Sequence, residues 1–125
     1  MTGSGRVCEV MTGQVVGITP DAPVNVALRL MARSAVRHLP VITGERCVGV
    51  LHESDLLWHV WASGNDTTPV TQLMRPATPV VGPPTDVRAA AATMAAAVTD
   101  VLLVVDEGRL EGILTATDLV RALAG

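Results

Sequence analysis

Two stretches, GVLHESD at residues 49–55 and GILTATD at 112–118, share one frame: glycine, two apolar residues, a variable position, two spacers and aspartate. They begin 63 positions apart, and that single shift aligns far more than the frames. It pairs Val7 with Val70, Met11 with Met74, Pro20 with Pro83, Val24 with Val87 and Met31 with Met94. It also pairs Ala27 with Ala90, Leu39 with Leu102, Val41 with Val104, Arg46 with Arg109 and Leu56 with Leu119. An ungapped register over about fifty positions marks an internal duplication.

Each copy reads as β-α-β-β-α. VVGIT (15–19) and PVVG (79–82) are β-prone runs that lead into proline. Val24, Ala27, Leu28 and Met31 then recur at helical spacing, as do Val87, Ala90, Ala91, Met94 and Val98. HLPVIT (38–43) and VLLVVD (101–106) are apolar strands, and turns around Gly44 and Gly108 lead back into CVGVLH (47–52) and LEGILT (110–115). Closing helices are expected at about 54–62 and 117–124. The copies therefore run over 7–60 and 70–123, joined by the polar linker 62–69. A copy of about fifty residues closes its own core poorly. The two are expected to pack sheet faces about a pseudo-twofold axis, as one α+β module over 1–125.

Composition narrows the function by exclusion. At 125 residues and 49% apolar, the chain suits one folded domain. All nine basic residues are scattered arginines, set against twelve acids for a net charge of −3. That balance, with no Phe or Tyr to stack on bases, argues against nucleic acid as a partner. No apolar run approaches the ~20 residues of a membrane span. The opening MTGSGRV lacks signal-peptide features, so a cytoplasmic location is expected.

The frame itself sits where a strand ends and a helix begins, among unpaired N–H groups that favour negative charge. Gly112 leaves room for a close approach to the strand. Asp118 offers two acceptor oxygens suited to the adjacent hydroxyls of a ribose, and Thr115 can donate and accept beside it. The same Thr-x-x-Asp spacing is also a capping box. In the first copy His52 takes the place of the hydroxyl while Asp55 remains, which capping alone does not explain.

End to end, VCEVMTGQVVGITPDAPVNVALRLMARSAVRHLPVITGERCVGVLHESDLL and PVTQLMRPATPVVGPPTDVRAAAATMAAAVTDVLLVVDEGRLEGILTATDLV resemble the cystathionine-β-synthase-type repeat, the CBS domain, in the tandem arrangement called a Bateman module. The resemblance covers nearly the whole chain and leaves no catalytic domain over. It rests on the VMT-type opening, the LPV strand and the G-h-h-T/S-x-x-D frame. It implies a regulatory module that binds AMP, ADP, ATP or S-adenosylmethionine in clefts between the repeats, with no required cofactor. Carried over, the second site would use Thr115 and Asp118 for ribose, with Val81, Gly82, Leu102 and Leu103 near the base. The first would use Asp55, with Ile18, Thr19, Leu39 and Pro40, and with Arg37 and His38 toward phosphate; His52 there could block the ribose or, when protonated, attract a phosphate. The departures are His52 for the hydroxyl residue, Leu103 for the proline of LPV, and Asp100 where copy one has Arg37. Thr115/Asp118 is thus the better ribose site. The resemblance also implies a homodimer and an unidentified protein partner. The alternative is a dimerising scaffold with degenerate sites.

Other residues are expected to be structural. Cys8, Cys47, His38, His52 and His59 show no metal-ligand spacing, so no metal is expected. Trp58 and Trp61 share a helical face, and core packing or anchoring of the linker is their expected role. Met11 and Met74 are expected to fill gaps where the repeats meet. No catalytic triad pattern or phosphate-cradling glycine loop occurs, so no enzyme is expected.

Overall fold

A computed structural model describes residues 5–76 and 79–125. In the first copy it places α1 (Val7–Val10), α2 (Val24–Ser34), β1 (His38–Thr43), β2 (Arg46–His52) and α3 (Glu53–Ser63). A single 3-10 turn, Val70–Gln72, opens the second copy. It is followed by β3 (Val80–Val81), α4 (Val87–Ala97), β4 (Val101–Asp106), β5 (Arg109–Thr115) and α5 (Ala116–Ala124). The class is α+β, with two small sheets. No described helix is long and apolar enough to cross a membrane.

The hairpins fall where the turn residues put them. β1 pairs with β2 and β4 with β5, both antiparallel across two-residue turns. Glu107 and Gly108 both take positive φ, 50° and 78°, as a two-residue hairpin turn demands; in the first copy Gly44 does so at 63°. Each hairpin carries one irregularity, at Val41/Ile42 and Val104/Val105, which are equivalent positions. The registers pair His38 with His52 and Val101 with Thr115, so each frame's variable residue stands opposite the start of the preceding strand.

Two local expectations need correction. The run 15–19 is not a strand: it contributes one parallel bridge, Ile18 to Val41, and its counterpart 79–82 contributes only Val80–Val81 beside β4. Pro20 and Pro83 follow at once and cannot donate to a ladder, which keeps the pairing short. Nor does Val98 extend the apolar face of α4. It is the left-handed cap, φ 51° and 91% exposed, because Thr99 N–H reaches back to the Met94 carbonyl at 3.0 Å and closes the helix. Ala35 ends α2 in the same conformation.

Two compact units form, one within Met1–Val15 and Thr78–Gly125, the other within Val16–Ala77. Each has its own core. Val24, Ala27, Met31, Leu39, Leu51 and Leu56 bury together in the second, and Ala90, Met94, Leu102, Val104 and Leu114 in the first. The openings of the two copies are exchanged between these cores: Val70 lies in the cluster around Leu51, and Val7 in the cluster around Leu114. Equivalent backbone bonds seat them. Val7 N–H donates to Thr85 O and Cys8 N–H to Pro83 O at 2.8 and 3.0 Å, while Val70 N–H donates to Ala22 O and Thr71 N–H to Pro20 O at the same distances.

Candidate functional site

Strand β5 runs straight into α5, and Thr115 is the residue between them. Its hydroxyl accepts from Asp118 N–H at 3.3 Å, and Asp118 Oδ2 accepts from Thr115 N–H at 2.9 Å, a complete capping box. Asp118 is only 4% exposed. A buried carboxylate needs donors on both oxygens. The Thr115 hydroxyl lies 3.2 Å from Oδ2, Thr12 Oγ1 donates to Oδ1 at 3.3 Å, and the exposed Arg121 stands 3.7 Å away.

Thr12 arrives there because the segment after α1 pairs with β5. Thr12 and Ile113 exchange both backbone bonds, at 2.9 and 3.1 Å. Gly112 makes that approach feasible: a Cβ there would lie 2.6 Å from Met11 Sδ and 2.8 Å from Thr12 O. The close approach expected at the frame glycine is therefore made by the chain itself. The first-copy frame is built identically. Val50 and Arg75 exchange backbone bonds at 3.0 and 2.9 Å, and a Cβ on Gly49 would lie 2.6 Å from Met74 Sδ and 2.8 Å from Arg75 O. Met11 and Met74 each pack on the frame glycine of the other sequence repeat.

The two frames then diverge. His52 caps α3 with no side-chain hydrogen bond to the helix, and its ring meets His38 edge-on at 4.9 Å. Asp55 is claimed by Arg75, whose Nε and Nη2 donate to Oδ2 and Oδ1 at 2.8 and 3.0 Å. Hydrogen bonding from Arg75 holds the Asp55 carboxyl below the usual carboxylate range; partial burial opposes this, and the charges of Arg75 and His52 reinforce it. This pairing supplies the reason for retaining an acid without a capping hydroxyl.

Because the folded-state pKa of Asp55 is depressed, the pair's stabilisation is complete above the unfolded value of about 3.9 and is lost as pH falls through the folded value. With Arg75 half exposed, solvent screening limits its size, while the bidentate geometry keeps it measurable. Urea midpoints of wild type and Arg75→Gln should accordingly differ by a small constant amount from pH 5 to 8 and converge near pH 2. A gap that stays unchanged at pH 2 would contradict the pairing.

The remaining expected contacts divide by burial. Ile18, Leu39 and Leu102 belong to the hydrophobic clusters, so their side chains are committed to the cores and only their backbone is left for a ligand. Leu103 and Pro40 are buried on the opposite strand faces from Leu102 and Leu39. Val81 packs partly on its cluster, Gly82 is half-buried, and Thr19 and Arg37 are exposed. Cys47 Sγ donates to Gly49 O at 3.2 Å, burial pushes its thiol pKa up, and His59 is hydrogen-bonded to Thr68 at 2.7 Å. Trp58 and Trp61 are not core residues: they are 68% and 85% exposed, because α3 turns Leu56 and Val60 inward instead. The residues that sequence reasoning passed over are Thr12 and Arg75. The signal was present, since they are equivalent positions directly after the aligned methionines.

A family model described as the CBS domain matches residues 7–62 and again 70–125. The chain belongs to the CBS-domain family. Solved structures share its fold over almost the full length. A putative acetoin utilization protein, AcuB, from Vibrio cholerae is 25% identical, with 97% of this chain and 92% of that one covered and a TM-score of 0.89. An uncharacterized conserved protein from Pyrococcus horikoshii is 28% identical over 100% and 96% of the two chains, again at 0.89. CBSX2, solved in complex with AMP, is 32% identical over 95% and 96%, with a TM-score of 0.80.

Proposed function

We propose that this CBS pair is a non-catalytic regulatory module that binds an adenosine ligand at the Thr115/Asp118 frame and passes its occupancy to a partner protein. The observation that carries the reading is the buried Asp118 carboxylate at the N-terminus of α5. A carboxylate has about four acceptor positions. The capping box takes one firmly at Oδ2, where the Thr115 hydroxyl also stands at 3.2 Å, while a single long bond from the Thr12 hydroxyl holds Oδ1. Turning that hydroxyl aside frees acceptors for a vicinal diol; the displaced bond and each new one are made to a carboxylate, about 1.5–3 kcal/mol apiece, so a diol making two exceeds the one lost. Support also comes from the AMP complex of CBSX2, a relative at 32% identity.

Thermal denaturation with AMP, ADP, ATP and S-adenosylmethionine tests this. A ligand at a hundred times its dissociation constant adds about 2.7 kcal/mol. At this chain length that is a rise on the order of 10 °C. No rise with any of the four would remove the reading. A second reading, a ligand-independent dimerising scaffold, is supported by the exposed apolar side chains Leu57, Trp58 and Trp61 on α3. It predicts a dimer in sedimentation whose melting point ignores all four ligands.

A further inference from the structure

We propose that Arg75 is a built-in competitor that closes the first-copy frame, so that the chain takes one adenosine ligand, at Asp118, and not two. The inference rests on the nucleotide reading above and goes on to say which frame is open and which residue makes the difference.

The two frames share their backbone construction, so the comparison isolates side chains. In each, the residue following the packed methionine is held opposite the frame strand by a reciprocal pair of backbone bonds, and its side chain reaches the frame aspartate. At Asp118 that residue is Thr12, a single neutral hydroxyl on one oxygen at 3.3 Å. At Asp55 it is Arg75, a guanidinium fork that fills both oxygens at 2.8 and 3.0 Å. A ribose presents the same demand as that fork: two neighbouring donors directed at one carboxylate. Ribose and guanidinium therefore compete for the same acceptor atoms. Both donor sets meet an ionised carboxylate, so the fork's advantage is that its two donors are charged and held in one bidentate plane and that Arg75 is tethered at high effective concentration. Asp118 also has a cationic neighbour, Arg121, but it stands 3.7 Å from one oxygen and is largely exposed. His52 compounds the closure by removing the capping hydroxyl that Thr115 supplies.

Isothermal titration with AMP tests the assignment on the full chain, using wild type, Asp118→Asn, Arg75→Thr, and Arg75→Thr combined with His52→Thr. Arg75→Gln serves as a second variant, with circular dichroism and melting confirming that each protein is folded. Wild type should bind one equivalent, lost in Asp118→Asn. The double variant, in which the first frame carries the residues of the second, should bind two. Arg75→Thr alone should show the second event at least tenfold weaker than the first. Two equivalents in wild type, or one equivalent in both wild type and the double variant, would overturn the role of Arg75 while the nucleotide reading stands. If wild type binds nothing but the double variant binds one equivalent, Arg75 is the block and the assignment to Asp118 fails. No heat from either protein would overturn both.

Discussion

Replacing Gly112 with alanine is expected to lower the melting temperature by on the order of 10 °C. The new Cβ would stand 2.6 Å from Met11 Sδ and 2.8 Å from Thr12 O, distances that real contacts do not reach. Met11 is a flexible side chain and can swing away. The Thr12 carbonyl cannot, because it accepts from Ile113 N–H at 3.1 Å while Thr12 N–H donates to Ile113 O. Relief therefore means pulling the opening segment off β5. Overpacking of this kind costs about 1–3 kcal/mol, and the two threatened backbone bonds add about 1 kcal/mol each. At this size each kcal/mol shifts the melting temperature by roughly 4 °C. Gly49→Ala should behave alike, since Met74 Sδ and Arg75 O stand at the same distances. Gly13→Ala, which meets nothing within 4 Å, should be close to neutral. Adding Met11→Ala to Gly112→Ala should rescue only part of the loss; full rescue would show that the carbonyl is not the obstacle.

The second large effect is on binding. Asp118→Asn is expected to weaken AMP at least 50-fold, whereas Asp55→Asn should change it less than threefold. A hydrogen bond to a charged group contributes about 1.5–3 kcal/mol, and a ribose diol makes two to its carboxylate. Asparagine keeps the shape but removes the charge and one acceptor oxygen. Asp55 has no such role to lose while Arg75 occupies both its oxygens. Asp118→Asn should also destabilise the free protein by about 1–2 kcal/mol, since the capping box and the Thr12 bond depend on the same carboxylate. Titration calorimetry at neutral pH reads the binding effects and urea denaturation the stability effect. The reverse order of the two binding effects would mean that the open frame is the one at Asp55.

Much of this was legible in the chain before any coordinates. The duplication, the strands 38–43 and 101–106, the turns at Gly44 and Gly108, and the frame at a strand–helix junction all follow from near-neighbour chemistry. Apolar periodicity, proline's missing donor and glycine's tolerance of positive φ act over a few residues, so they leave local marks. Where that reading slipped, a near-neighbour rule met a tertiary demand. Val98 fits the apolar spacing of α4, yet the return of Thr99 N–H to Met94 makes it the exposed cap. Trp58 and Trp61 have the size of core residues, but α3 already satisfies its core with Leu56 and Val60.

The partners of the two frame aspartates belong to a different order of information. Thr12 reaches Asp118 across 106 residues, and Arg75 reaches Asp55 across 20. Nothing in the spacing of either frame reports which segment will cover its glycine. That outcome is set when each repeat's opening finds its place: α1 buries Val7 beside Leu114, and the turn at Val70 joins the core around Leu51. Duplication alone makes the frames near-equal, with the threonine-to-histidine difference the one that bears on the aspartate's cap. Folding makes the residue after each methionine the one that answers the aspartate, because a backbone pairing holds it within reach. A hydroxyl there leaves a frame open to a diol, and a guanidinium closes it.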